Sequence, residues 1–236
     1  MSAMYVGAYW GARAEPASTC AARLARCLES LHGAHPALTS WCHKGRSHAG
    51  ARRPVDVDPG SLTTLVERGR ARRDVDDETI DELGFTGGMW NGQTPSVGLT
   101  FQCGATFMPI GNNMVLQLSG GGEGETLTEP AVARAVLDSL VNAWEPAWVT
   151  WTTDAWRNAQ GAEPGRPVVG WLTYLRGVPA YGIPDELASV AMAGGVLVSA
   201  ALTFAEVTEE RILSVREALR GAGALDLRGG GSEVGS

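Results

Sequence analysis

Two hydrophobic periods alternate along this chain, and the switches between them divide it into elements. The first switch lies between Met4 and Leu31. Tyr5, Val6, Tyr9 and Trp10 predict a short pleated strand, with Gly7 and Gly11 leaving room for a neighbouring backbone. Cys20, Leu24, Cys27, Leu28 and Leu31 then recur at helical spacing, while Arg23, Arg26 and Glu29 fall on another face. Pro16 suits the first helical turn, Ser18 or Thr19 its cap and Gly33 its left-handed stop. Trp10 is expected to pack on this helix near Leu24 or Leu28.

Further on, residues 39–43 predict a short strand around Trp41, followed by a basic loop over 44–53. Asp58 and Pro59 read as an N-cap and first helical residue, opening a helix through Leu62, Leu65 and Val66 to about Arg68. Residues 74–82 are expected to form a short acidic helix with Ile80 and Leu83 turned inward and Gly84 as its stop. Strands follow over 85–90, 97–108 and 114–118, broken by Asn91-Gly92 and Gly111-Asn112-Asn113, good turn chemistry for a meander. A second helix is predicted over 129–144, then a strand over 148–152 and a helical turn over 154–158. Strands over 168–175, 188–192 and 195–202 come next, and a helix capped by Thr208 carries Ile212, Val215 and Leu219. This order predicts an α+β fold, a largely antiparallel sheet with helices packed on it. One domain is expected over 1–225, with an internal hinge near 119–128 and a flexible tail over 226–236.

Composition narrows the function classes. A hydrophobic fraction of 44% and a charged fraction of 19% are ordinary for a globular protein, whereas eight tryptophans exceed the usual share and serve both cores and binding anchors. The net charge of −7 is unevenly spread: residues 1–73 carry +6 and residues 74–236 carry −13. Such polarity argues against nucleic acid as the main partner and suits a cationic protein. No basic segment followed by an apolar core opens the chain, so no signal peptide is expected. The most apolar run, Val190 to Leu202, is shorter than the about 20 residues a spanning helix needs. Four irregularly spaced cysteines read as reduced thiols, so the expected compartment is the cytoplasm, with no membrane partner.

Candidate chemistry is sparse. Cys20, Cys27, Cys42, His32, His35, His43 and His48 all fall within residues 20–48. They include no CxxC pair, and Cys20 and Cys27 point to the core by phase, so neither metal nor cofactor is expected. A small enzyme using this Cys/His-rich segment is the alternative reading, although no nucleophile signature surrounds Cys42. The glycine run at 120–124 lacks the lysine of a phosphate loop. The acidic segment is harder to dismiss. A helix dipole accounts for Asp76, Asp77 and Glu78 near its start, but not for Asp81 and Glu82 at its end, which either pair with the neighbouring arginines of 68–73 in a solvated, salt-bridged face or meet a partner.

A resemblance adds to this reading. The sequence GAYWGAR at 7–13, the helix ending in Leu28-x-x-Leu31, and Trp41 followed by Lys44-Gly45-Arg46-Ser47 resemble the bacterial immunity protein 52 family. So do Gly69-Arg70, Arg72-Arg73-Asp74, Ile80, Glu82-Leu83-Gly84-Phe85 and Trp90-Asn91. The likeness is close over the first 120 residues or so and holds in outline beyond. It implies an immunity protein of a polymorphic toxin system, used in interbacterial competition through type VI secretion. The implied partner is a cognate toxin with a restriction-endonuclease-like nuclease domain, bound without catalysis. A nuclease is cationic where it meets phosphate, so the expected contact is Asp74, Asp76, Asp77, Glu78, Asp81 and Glu82, with Trp90 and Asn91 as a neighbouring anchor.

Overall fold

The first strand of the sequence becomes the centre of the sheet. The computed structural model describes residues 3–44, 52–107, 111–119 and 126–227. Nine strands among them are β1 (Met4–Trp10), β2 (Cys42–His43), β3 (Phe85–Trp90), β4 (Val97–Cys103), β5 (Asn112–Leu118), β6 (Trp148–Thr153), β7 (Leu172–Arg176), β8 (Ala188–Met192) and β9 (Gly195–Ser199). They form one sheet in the order β2-β3-β4-β5-β1-β6-β7-β9-β8. Every pairing is antiparallel, as the α+β reading expected.

Register sorts the side chains onto two faces. On one, Met89, Leu99, Leu116, Val6 and Trp151 line up across five strands, and all are fully buried. Helices α1 (Ala17–Ala34), α2 (Pro59–Arg68) and α3 (Pro130–Trp144) share this core through Leu24 and Leu31, Leu62 and Val66, and Val136 and Leu140. After β6 comes the short α4 (Asp154–Ala159), capped by Thr153, whose hydroxyl accepts the Trp156 N–H. On the other face, α5 (Glu209–Gly221) buries Ile212, Val215 and Leu219 with Trp148, Leu175, Val196 and Val198. Over β3, β4 and β5 that second face carries Gly88, Gly98, Thr100 and Asn113 and stays half-open.

Several boundaries differ from expectation for local reasons. At the start of α1, Pro16 itself is the extended N-cap residue and its carbonyl accepts from the N–H groups of Thr19 and Cys20, while neither Ser18 nor Thr19 caps. The helix runs past Gly33 and ends at His35, because Pro36 excludes the helical region for the residue before it. β4 stops at Cys103, where Gly104 adopts a left-handed φ of 72°. The Asn112 amide then takes the Ala105 N–H and donates to the carbonyls of Ala105 and Gly11, so the backbone needs no further ladder. The same logic delays β7 to Leu172. Gln160 exchanges two hydrogen bonds with Val169, and the Thr173 hydroxyl accepts the Gly170 N–H. The cap of α5 is as expected, Thr208 accepting from Arg211 N–H at 3.2 Å. Most of the expected hinge (120–125), Met108, most of the basic loop (45–51) and most of the tail (228–236) lie outside the described residues.

Candidate partner-binding surface

Residues 74–82 do not form the expected helix. Arg72 and Thr79 pair as an antiparallel bridge, with Arg73 N–H donating to Glu78 O at 2.9 Å and Ile80 N–H to Ala71 O at 2.9 Å. The chain reverses at Asp77, whose φ is 58°, a region aspartate tolerates. The Asp76 carboxylate accepts the Glu78 N–H at 3.1 Å, a local turn that competes with helix. With only Ile80 and Leu83 to bury, this stretch could not offset the cost of helix nucleation. A single 3-10 turn, Asp81–Leu83, precedes β3.

Arginines from the preceding run hold the loop. Arg70 bonds Glu67 at 3.0 Å and Asp81 at 2.7 Å, with its guanidinium 4.9 Å above the Phe85 ring. Arg72 pairs with Asp77 at 3.1 Å, and Arg73 with Glu78 at 3.1 Å and Asp76 at 3.7 Å. Exposed pairs of this kind contribute about 0–1 kcal/mol each, so they shape the loop more than they stabilise the fold. Residues 67–82 still carry a net −3. Among the described residues Asp74 and Glu82 enter no ion pair, and Val75 at the tip is 95% exposed. The Glu82 carbonyl accepts from Thr106 and Phe107 N–H, which sets the exposed Phe107 beside the segment.

Trp90 and Asn91 are elsewhere. They follow at the far end of β3, about 17 Å along the strand from Phe85. Asn91 is buried and its amide is fully engaged, donating to Ala37 O and Pro95 O and accepting from Val97 N–H and, more weakly, Gln93 N–H. Trp90 is half-buried opposite Cys42. The structure therefore gathers the six acids and separates the Trp90-Asn91 pair from them.

The Cys/His-rich segment is dispersed. Cys20 and Cys27 are buried under α1, and Cys27 Sγ contacts Met114 Sδ at 3.6 Å. Burial pushes the Cys27 thiol up to about 12, and a bond to Cys20 together with burial pushes Cys103 up as well. Those thiols stay protonated and are poor nucleophiles. Cys42 is half-buried, with Sγ 3.8 Å from the Arg52 carbonyl. His35 accepts the Ala37 N–H on Nδ1 and meets Thr126 Oγ1 through Nε2 at 3.0 Å. No three His, Cys, Asp or Glu side chains converge as metal ligands among the described residues; His48 lies outside them.

Two further features escaped sequence reasoning. Arg13, Glu15, Arg23, Glu145 and Arg176 form an ion-pair chain with contacts of 2.8 to 3.7 Å. Arg13 and Arg23 also donate to the carbonyls of Trp144 and Ala143, closing the end of α3 across more than a hundred residues of sequence. The second is a groove of about 1240 Å³ on the half-open face, floored by Tyr5, Tyr9, Asn113 and Gln117 and rimmed by Lys44 and Arg166. Only a tertiary arrangement assembles either one.

The profile of the immunity protein 52 family matches residues 2–225, nearly the whole chain. No curated protein matches. Among solved structures, the chain is similar to the Pseudomonas aeruginosa T6SS protein PA0821, at 14% identity and a TM-score of 0.54. That likeness covers 93% of this chain and 76% of the other, and at this identity it speaks for the fold alone. No helix among the described residues is long and apolar enough to cross a membrane.

Proposed function

The chain belongs to the immunity protein 52 family, and on that premise we propose that it binds and neutralises a cognate nuclease toxin by stoichiometric complex formation, in the cytoplasm and without catalysis. The contact is the acidic loop at 74–82. The observation behind this reading is a surplus of carboxylate: seven acids against four arginines over 67–82, with the Asp74 and Glu82 carboxylates in no ion pair among the described residues. A nuclease needs a cationic face for its phosphate-bearing substrate, and an acidic loop prearranged by its own arginines is complementary to that face. Val75 adds an exposed apolar tip among the charges, the composition of a contact centre with a polar rim. The T6SS label on the structural neighbour fits delivery of such a toxin between bacteria. Burial of the Cys27 and Cys103 thiols supports the non-catalytic part of the reading.

Titrating the chain into the toxin encoded by the neighbouring gene tests this. Nuclease activity should fall in proportion to added chain and vanish at one equivalent, with a complex of fixed ratio recovered by gel filtration. Loss of activity at far less than one equivalent, with a chemically altered toxin, would show an enzyme instead.

A further inference from the structure

The two edges of the sheet are finished differently. β2, at one end, is two residues long and already covered: Pro54 bridges to Cys42, and His43 N–H donates to Arg53 O at 2.9 Å. Brevity, proline and nearby cations are the usual protection of an edge. β8, at the other end, has none of them. Its sequence Ala188-Ser189-Val190-Ala191-Met192 is uncharged, and its first four residues are exposed on both faces.

The hairpin fixes where the free backbone groups of β8 point. Ala193 and Gly194, with φ of 31° and 79°, make a two-residue turn that closes on the Met192–Gly195 pair. Such a pair is hydrogen-bonded, so Ala188, Val190 and Met192 bond to β9 and the N–H and C=O groups of Ser189 and Ala191 face outward. Among the described residues no other backbone bond reaches those groups.

We propose that β8 pairs with β8 of a second copy of this chain, antiparallel about a two-fold axis at Val190, joining two sheets edge to edge. In that register Ser189 meets the partner's Ala191 and Ala191 the partner's Ser189, both as hydrogen-bonded pairs. Val190 then faces the partner's Val190 at the close, non-bonded position where side chains touch. Charge selects this occupant. Each copy carries −7, so two copies repel wherever their charges meet, and β8 offers a neutral strip. The nearest acids in sequence, Asp185 and Glu186, lie in the turn before β8, where Leu187 N–H bonds Pro184 O, and so outside the paired strands. The turn Ala180–Gly182 packs beside β8 and presents Tyr181, 93% exposed, as further apolar surface. A five-residue strand pair buries less than the ~1,200 Å² of a standard interface, so the dimer should be weak and concentration-dependent.

Analytical ultracentrifugation of the full chain from low micromolar to near-millimolar concentration tests the pairing. The weight-average mass should climb toward two chains in the parent and stay at one chain in Val190→Lys, which puts like charges on the axis. Ala191→Pro should act the same way, because it deletes only an outward donor. Val190→Thr, neutral and β-branched, should still dimerise. Circular dichroism of each variant confirms the fold, and Val190→Lys alone decides if Ala191→Pro does not fold. A parent that stays monomeric throughout, or a dimer that survives Val190→Lys, overturns the proposal.

Discussion

Trp10 stacks on Trp144 at 5.0 Å and 21°, and the Arg13 guanidinium lies 5.1 Å over its ring while bonding the Trp144 carbonyl. Its stacking partner is therefore on α3, and it shares one buried core with Leu24 and Leu28 of α1. Truncating this buried ring to alanine should cost about 3–5 kcal/mol, a large part of the 5–15 kcal/mol that holds a typical domain together. Denaturant melts of Trp10→Ala will show it as a shifted midpoint; an unshifted one would mean the ring packs nothing. Asn91 should be equally intolerant: Asn91→Ala strands the Val97 N–H and the Ala37 and Pro95 carbonyls, at about 1–3 kcal/mol for each group left dry. His35 carries a pH signature. Burial lowers its pKa below the usual 6.5, with Glu129 pulling the other way, and Nδ1 must be unprotonated to accept the Ala37 N–H. The folded state thus binds this proton less readily than the unfolded one. The stability it lends is complete above pH 6.5 and is lost as pH falls from 6.5 through the lower folded value. An NMR titration should place the ring's midpoint below 6.5, and a midpoint above 6.5 would refute the assignment.

At the scale of elements, what the sequence revealed and what it hid follow one physical division. Segments with a long apolar face announced themselves: the Leu24–Leu31 stripe, the Val136–Leu140 stripe and the alternation through Val97, Leu99 and Phe101 all fall where their periods placed them. Segments whose shape is decided by polar bonds did not. The acids of 74–82 read as a helix start, yet Asp76 and Asp77 bend the chain back, and Arg70, Arg72 and Arg73 keep it there. Which arginine meets which acid is a tertiary outcome that spacing alone leaves open. The motif residues met a similar fate. A Cβ on Gly69 would run into the Thr86 carbonyl, while Arg70 and Asn91 are spent on internal bonds, so much of what carries the family likeness is scaffold. Arg70 is the loop's main tether. Arg70→Ala should therefore speed hydrogen exchange at the Arg73 and Ile80 amides while leaving the global melt nearly unchanged. Equal protection in parent and variant would show that the backbone bridge alone holds the loop.

The whole molecule is one antiparallel sheet with its acids unevenly shared, −13 over residues 74–236 against +6 before them. The acidic loop stands at the boundary between those regions, next to the arginines that shape it. Charges at a contact rim act mainly on association, through long-range steering that salt suppresses, whereas buried pairs act on dissociation. Asp74 and Glu82 suit a test because reversing them breaks no ion pair of the loop. The decisive measurement is the association rate of toxin with the parent and with Asp74→Lys/Glu82→Lys, followed from low to high salt by stopped flow. The double variant should associate at least about 10-fold more slowly at low salt, with a flatter salt dependence, little change in dissociation and unaltered circular dichroism. An unchanged association rate with an unchanged salt slope would place the toxin contact on another surface.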